Sequence, residues 1–346
     1  MTEWKVSKSL TAWLLGLTIV VIVLGGLIRI YDAGESCPDW PLCFGTLGFD
    51  VSEEEQEAWW TENPDEIDSR GSGHRYSTFQ IFTEWFHRFL AGVFLGPLVL
   101  VNWYFLRKEE DPGKEIRFAS TLTVILIIWQ GAIGWLTVEM DNLHWSVALH
   151  LSSALAFTIS MFWLWLTITI VEGRIPSWMK IEHGISRRWR GRVTWLSIGA
   201  FVSIFSGTFV STTPGANLGC GVDGMPDSWP LCGGALMGSV EDLMLQSQFI
   251  HRWLVGLMLI SMGAASYFIW KEGKEDSKHT LRNWIWLATG IFATNASIGA
   301  IYVISWNMEE GFFEFLSLVH LVLASLTFLT MAAAWIGCVI STEEVA

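Results

Sequence analysis

The chain has 346 residues, of which 51% are hydrophobic, 16% are charged and 22 are tryptophan. This composition is too apolar for an ordinary soluble domain, and it suits a bilayer protein with aromatic belts at the membrane surfaces. The formal net charge is −13. We expect membrane lipid as the surroundings and no nucleic-acid partner.

Eight apolar segments are each long enough to cross a bilayer, which takes about 20 residues. They are residues 9–30, 79–106, 118–138, 144–171, 193–212, 246–270, 281–304 and 313–340. We therefore predict an all-α integral membrane protein with eight transmembrane helices. A cleaved signal peptide is the alternative for the first segment, but no small-residue cleavage site follows Arg29 convincingly.

The Lys and Arg residues predict the orientation. In the eight-span arrangement, 16 of the 21 lie on the same side of the membrane as both termini. The other five are Arg29, Arg70, Arg75, Arg88 and Arg252. Basic residues are retained on the cytoplasmic side. Both termini are therefore predicted to be cytoplasmic, in a cell (plasma) membrane.

The sequence is internally duplicated. Residues 40–43 and 229–232 both read Trp-Pro-Leu-Cys, in the first and third outer loops. We predict two tandem four-helix bundles, residues 1–176 and 177–346. Because each half has four spans, both insert the same way, and the bundles should be related by a pseudo-two-fold axis along the membrane normal.

Four histidines occupy similar positions in the even-numbered segments, namely His87, His150, His251 and His320. Even-numbered helices enter from the same side, so the imidazoles should form one layer, about 10 Å below the outer surface. Two inward-facing imidazoles in a helix bundle suit axial ligation of a haem iron. We predict one site per half, His87 with His150 and His251 with His320. Cross-helix hydrogen bonding is the alternative for any single histidine, and zinc lacks further ligands at that depth.

The two halves differ beside these histidines. Glu84 precedes His87 by one helical turn, whereas Gln248 stands at the matching place in the second half. A carboxylate can carry protons and an amide cannot act as a base, so we interpret the first half as reactive and the second as electron-holding. A solvated carboxylate near the outer surface is the alternative. Arg88 and Arg252 are candidate partners of haem propionates, with snorkelling to the interface as the alternative.

The cysteines of the outer loops form two candidate pairs, Cys37 with Cys43 and Cys220 with Cys232. An oxidising compartment favours disulfides there. We interpret both as structural, and a redox role stays open for Cys37 and Cys43, since a short exposed bridge can be labile.

Two further features have open interpretations. The long first outer loop, roughly residues 44–78, carries an acidic run and could cover a haem site, contact a partner, or do neither. Small residues in 130–134 and 295–299 could let a macrocycle approach the backbone, but we favour plain helix packing.

Several of these motifs together resemble the haem A synthase family. They are the segment Glu84-Trp85-Phe86-His87-Arg88, residues 130–138, residues 148–150, the outer-loop cysteine pairs and the four-plus-four duplication. The resemblance covers essentially all eight helices. It implies an oxidoreductase of cytochrome oxidase assembly that oxidises the C8 methyl of haem O to the formyl of haem A by successive hydroxylations.

The resemblance also implies roles for individual residues. The substrate haem O would lie in the first half between His87 and His150, and a haem B cofactor in the second half. Glu84 would be catalytic, and Cys37 with Cys43 would assist. The haem O synthase is an expected supplier of substrate. The electron donor or acceptor, the oxygen source and a homo-oligomeric state are left open.

Three other functions are compatible with part of the pattern. A di-haem cytochrome b type electron carrier would use the same histidines, but it would place its haems near opposite membrane faces. A membrane thiol oxidoreductase would explain the outer cysteines and would not need four buried histidines. A transporter would explain the duplication and not the single polar layer.

Overall fold

The computed structural model describes residues 4–67, 70–108, 112–213, 215–236, 243–272, 280–309 and 311–343. Lys274 and Lys278, which contribute to the predicted orientation, lie outside the described residues. The described part of the chain contains α-helices and short 3₁₀ and π segments but no β-strand.

The α-helices are α1 (Trp4–Ile30), α2 (Glu53–Glu62), α3 (Thr78–Phe89), α4 (Gly96–Lys108), α5 (Gly113–Glu139), α6 (His144–Val171), α7 (His183–Thr212), α8 (Leu243–Glu272), α9 (Thr280–Glu309) and α10 (Glu314–Glu343). Within the described ranges, eight stretches are long and apolar enough to span a membrane. Helices α3 and α4 form one of them, Thr78–Lys108, joined by a π-helical segment at Leu90–Leu95. The predicted all-α, eight-span membrane protein is therefore confirmed.

The chain divides into two compact units, Met1–Glu172 and Gly173–Ala346. In the first unit, α1 packs on α3, α4 and α6, while α5 packs on α4 and α6. In the second unit, α7 packs on α8 and α10, while α9 packs on the same two helices. Each unit is thus a closed four-helix bundle. The pseudo-two-fold relation between the bundles and their cytoplasmic termini stay predictions.

Polar side chains inside the spans bond locally, as the absence of water in a bilayer core requires. Thr11 and Thr18 donate to carbonyls four residues earlier on α1. A buried contact also links two helices, since Asn102 Nδ2 donates to Thr11 Oγ1 at 2.9 Å. Such bonds pair the hydroxyl groups of these threonines inside the spans.

The first outer loop folds over the disulfide between Cys37 and Cys43. Helix α2 begins with a capping box, in which Ser52 and Glu55 bond each other's backbone N–H groups. Its Trp60 packs edge-on against Phe44, with ring centroids 5.4 Å apart, in a cluster that also contains both cysteines. The loop therefore covers the disulfide, and both cysteines are almost fully buried.

Replacing Trp60 with alanine is expected to make this disulfide easier to reduce. The side chain is 3% exposed, and deleting a buried tryptophan costs about 3–5 kcal/mol, here concentrated in the loop cluster. Mass spectrometry of alkylated Cys37 and Cys43 after graded reduction measures the effect. Glu62→Ala at the exposed end of α2 is the control, and equal reduction of the two variants would contradict the shielding.

Candidate functional site

Glu84 is a buried carboxylate in the middle of α3. It is 3% exposed, so the alternative of a solvated surface carboxylate is wrong in this structure. Its Oε2 accepts hydrogen bonds from Ser36 Oγ and from the backbone N–H of Cys37, both at 2.9 Å. Its Oε1 pairs with Arg88. Every contact is with a donor, which suits a carboxylate held in one orientation.

Arg88 links this carboxylate to the same outer loop. While one guanidinium nitrogen pairs with Glu84, Nη1 donates to the Asp39 carbonyl at 2.8 Å. Ser36, Cys37 and Asp39 all belong to the first outer loop, near the Cys37–Cys43 disulfide. The loop, the arginine and the carboxylate therefore form one connected network next to His87 on α3.

The second unit repeats the arginine part of this network, with a neutral amide in place of the carboxylate. Gln248 is 5% exposed, its Oε1 accepts from Arg252 Nη2 at 2.8 Å, and its Nε2 donates to the Asn217 carbonyl at 2.8 Å. Arg252 Nη1 donates to the carbonyls of Ser228 and Leu231, both at 2.7 Å. Glu84 and Gln248 thus differ in charge, while each is buried and each contacts an arginine that also binds a loop carbonyl.

The two arginines are engaged by the protein through both terminal nitrogens. Arg88 and Arg252 each bind a loop carbonyl and the acidic or amide side chain one turn earlier. They therefore hold the outer loops on their bundles. Their pairing with haem propionates stays a prediction.

His251 and His320 face each other within the second bundle. Their ring centroids are 6.2 Å apart and their planes are nearly perpendicular, at 87°. A metal–nitrogen distance of about 2.0 Å, with about 1.1 Å more from nitrogen to ring centroid, gives roughly 6.2 Å between the centroids of two imidazoles that share one metal ion. The observed separation fits two axial ligands of one iron.

The Nδ1 atoms of this pair are bonded to neighbouring helices. His251 Nδ1 lies 2.9 Å from Ser206 Oγ on α7, and His320 Nδ1 lies 2.9 Å from the Asn295 carbonyl on α9. Metal-bound histidines usually have their second ring nitrogen engaged in this way, which leaves Nε2 for the metal.

His87 and His150 are near enough to interact electrostatically in the first bundle. His150 Nδ1 lies 3.1 Å from Gln130 Nε2, which also donates to the His150 carbonyl at 3.1 Å. His87 differs, since its Nδ1 is buried and, within the described part of the chain, has no hydrogen-bond partner.

Three buried polar atoms around the histidines have no hydrogen-bond partner among the described residues. One is His87 Nδ1 itself, and the others are Gln130 Oε1 and Asn295 Oδ1. Buried polar atoms are rarely left unsatisfied, and each such atom calls for an explanation such as a bound group or water. Together with the histidine geometry, these atoms fit a bound group in each bundle.

The cysteine pairs form as predicted. Cys37 is bonded to Cys43 and Cys220 to Cys232. The backbones of Cys43 and Cys232 also form isolated antiparallel β-bridges, with Thr46 and Ala235 respectively. The sequence reasoning missed the hydrogen bond from the Cys37 backbone to Glu84. No local sequence signal could show it, because the two residues lie 47 positions apart.

Eight spanning helices in two closed four-helix bundles, with a pair of histidines in each, define a polytopic all-helical membrane protein. Residues 8–332 match the family COX15-CtaA, described as cytochrome oxidase assembly protein. The chain belongs to this family, which is that of the haem A synthases.

Curated relatives named heme A synthase are similar to the chain. One from Shouchella clausii is 27% identical over 90% of this chain and 89% of its own length. One from Halalkalibacterium halodurans is 24% identical over 90% of each chain. One from Shewanella oneidensis is 35% identical, and that match spans 40% of each chain.

Proposed function

We propose that this member of the haem A synthase family oxidises the C8 methyl of haem O to the formyl group of haem A by successive hydroxylations. The full-length relatives support haem A synthesis as the function. The observation that carries the proposal is the buried Glu84 one turn before His87, paired with Arg88, in a bundle whose counterpart holds Gln248 against Arg252.

The two bundles would hold different haems. His87 and His150 would hold haem O, the substrate, and the His87 Nδ1 atom there has no hydrogen-bond partner among the described residues. His251 and His320, whose ring spacing fits two imidazoles on one iron, would hold haem B. When bound, haem B supplies an iron that stores and passes electrons.

Glu84 would move the protons of the reaction. With water as the oxygen source, two hydroxylations and one dehydration convert the methyl group and one water into the formyl group, and equal numbers of protons and electrons leave. A buried carboxylate is suited to accept those protons or to orient the water. Ser36, the Cys37 N–H and Arg88 keep it in place.

The disulfides would act chiefly as structural clamps. Cys37–Cys43 fixes the loop whose backbone N–H binds Glu84, and Cys220–Cys232 fixes the loop whose carbonyls bind Arg252. A redox-active role of Cys37–Cys43 is the second candidate, favoured by its direct link to the carboxylate.

The surroundings and partners follow from the same proposal. The protein is a multi-pass membrane protein, and we place it in the plasma membrane with its histidines near the outer face. A haem O synthase would supply the substrate through the lipid phase. We also expect an electron acceptor as a partner. Assembly of the chain into a homo-oligomer is a further expectation.

The proposal is tested in cells that make haem O, with and without the full-length chain, by mass spectrometry of the extracted haems. We expect the formyl product and the hydroxylated intermediate only with the chain. Haem B bound with haem O unchanged would favour a di-haem electron carrier instead, and a protein that binds no haem would overturn the histidine sites.

A further inference from the structure

In the first bundle, each histidine lies against a glycine of the preceding spanning helix. A Cβ atom on Gly25 of α1 would lie 3.4 Å from His87 Cε1. A Cβ atom on Gly134 of α5 would lie 2.9 Å from His150 Cε1, nearer than real Cβ atoms come to such neighbours. Only glycine leaves room for the imidazole at that place on α5.

The second bundle repeats the contact twice. A Cβ atom on Gly207 of α7 would lie 3.0 Å from His251 Cε1, and one on Gly299 of α9 would lie 2.8 Å from His320 Cε1. In all four cases the nearest ring atom is Cε1, the carbon between the two nitrogens, and Nδ1 lies as near as Nε2 or nearer wherever both are within 4 Å. The glycine therefore lies beside the Cε1 corner of the ring.

The group that meets Nδ1 lies one helical turn before the glycine in two cases. The Asn295 carbonyl, four residues before Gly299, is 2.9 Å from His320 Nδ1. The Gln130 side chain, four residues before Gly134, is 3.1 Å from His150 Nδ1. Because the glycine has no side chain, the ring can lie flat enough on the helix to reach that turn.

The other two histidines show the same arrangement with different bonding. The carbonyl of Ser203, four residues before Gly207, interacts with His251, and Ser206 Oγ bonds its Nδ1. The Val21 carbonyl, four residues before Gly25, faces the His87 ring without hydrogen-bond geometry at Nδ1. His87, with the loosest glycine contact, is also the histidine whose Nδ1 is unbonded.

We propose that Gly25, Gly134, Gly207 and Gly299 are positioning residues, which seat the four imidazoles so that Nδ1 meets the preceding helix and Nε2 faces the iron. This inference rests on the proposed haem ligation and deepens it. A hydrogen bond at Nδ1 fixes the tautomer in which Nε2 can bind a metal. A ring bonded to iron cannot swing aside, so a methyl group on the glycine displaces the ligand.

The test uses Gly299→Ala in the full-length protein, with Gly290→Ala on the same helix as its control, because a Cβ atom on Gly290 has no neighbour within 4 Å. Haem content, the low-spin ferric spectrum and the midpoint potential are measured. We expect Gly299→Ala to lose half or more of the second-bundle haem or to shift its spectrum and potential, and Gly290→Ala to match wild type. Alanine favours helix over glycine, so helix propensity would act in the opposite direction.

A second pair keeps the inference testable if Gly299→Ala does not accumulate. Gly134→Ala should disturb the first-bundle haem more than Gly25→Ala, because its Cβ atom would lie nearer the ring. Gly131→Ala on α5 has open space and should match wild type. The reverse order, or unchanged spectra and potentials in a haem-loaded Gly299→Ala variant, would overturn this inference alone. A wild type without haem would overturn the proposed function with it.

Discussion

Glu84→Gln is expected to abolish haem O oxidation while both haems stay bound. Glutamine keeps one acceptor oxygen, which can bind Arg88 as Gln248 binds Arg252 in the second bundle, and it loses the oxygen that accepts from the Cys37 N–H. The link through Arg88 to the loop is therefore kept, while the group that carries protons, which contributes about 10²–10⁴-fold to a rate, is lost. The measurement is the rate of hydroxylated and formyl haem formation in membranes, beside haem content per protein.

Glu54→Gln is the matched control for this variant, since Glu54 is an exposed carboxylate on α2 of the same outer loop. It should leave both the rate and the haem content at wild-type values. Full activity of Glu84→Gln would remove the carboxylate from the chemistry. Loss of haem from Glu84→Gln would instead make Glu84 a structural support of the site.

His251→Ala is expected to remove the haem of the second bundle and to reduce product formation to background. His251 and His320 lie at the separation of two axial ligands, and a single remaining imidazole leaves the iron with one protein bond. Haem content per protein should fall by one haem, and the low-spin ferric signal of that haem should disappear.

His183→Ala provides the comparison, because His183 lies exposed near the start of α7, where its Nδ1 contacts the Ser341 carbonyl. It should bind haem as wild type does. Retention of the full haem content by His251→Ala would show that the second-bundle haem, if present, has another ligand.

The sequence predicted the number of spans and the duplication, because hydropathy and repeated motifs report both directly. It placed the start of the fifth span at residue 193, whereas α7 begins at His183. The intervening residues include Arg187, Arg188 and Arg190, which lower hydropathy while fitting well into a helix. Hydropathy therefore locates the part of the helix that lies in the membrane, and it does not locate the residue at which the helix begins.

Within the candidate site, only spacing along one helix could be predicted. Glu84 and His87 lie one turn apart, so their proximity follows from helix geometry. The bonds from Ser36 and Cys37 to Glu84 depend on how the outer loop folds. Gly134 and Gly299 belong to segments noted for small residues, but their contact with imidazoles depends on which face of each helix meets its neighbour.

The π-helical segment at Leu90–Leu95 follows directly on the helix turn that carries His87 and Arg88. A π turn holds an extra residue relative to an α turn, and each residue of an α-helix turns the chain by about 100°. Loss of a single residue from this segment would therefore rotate α3 against α4, and Glu84 and His87 would turn away from the bundle. Helix α4 itself would keep its apolar length. Single-residue deletions here should thus separate insertion into the membrane, which survives, from assembly of the first-bundle site, which does not.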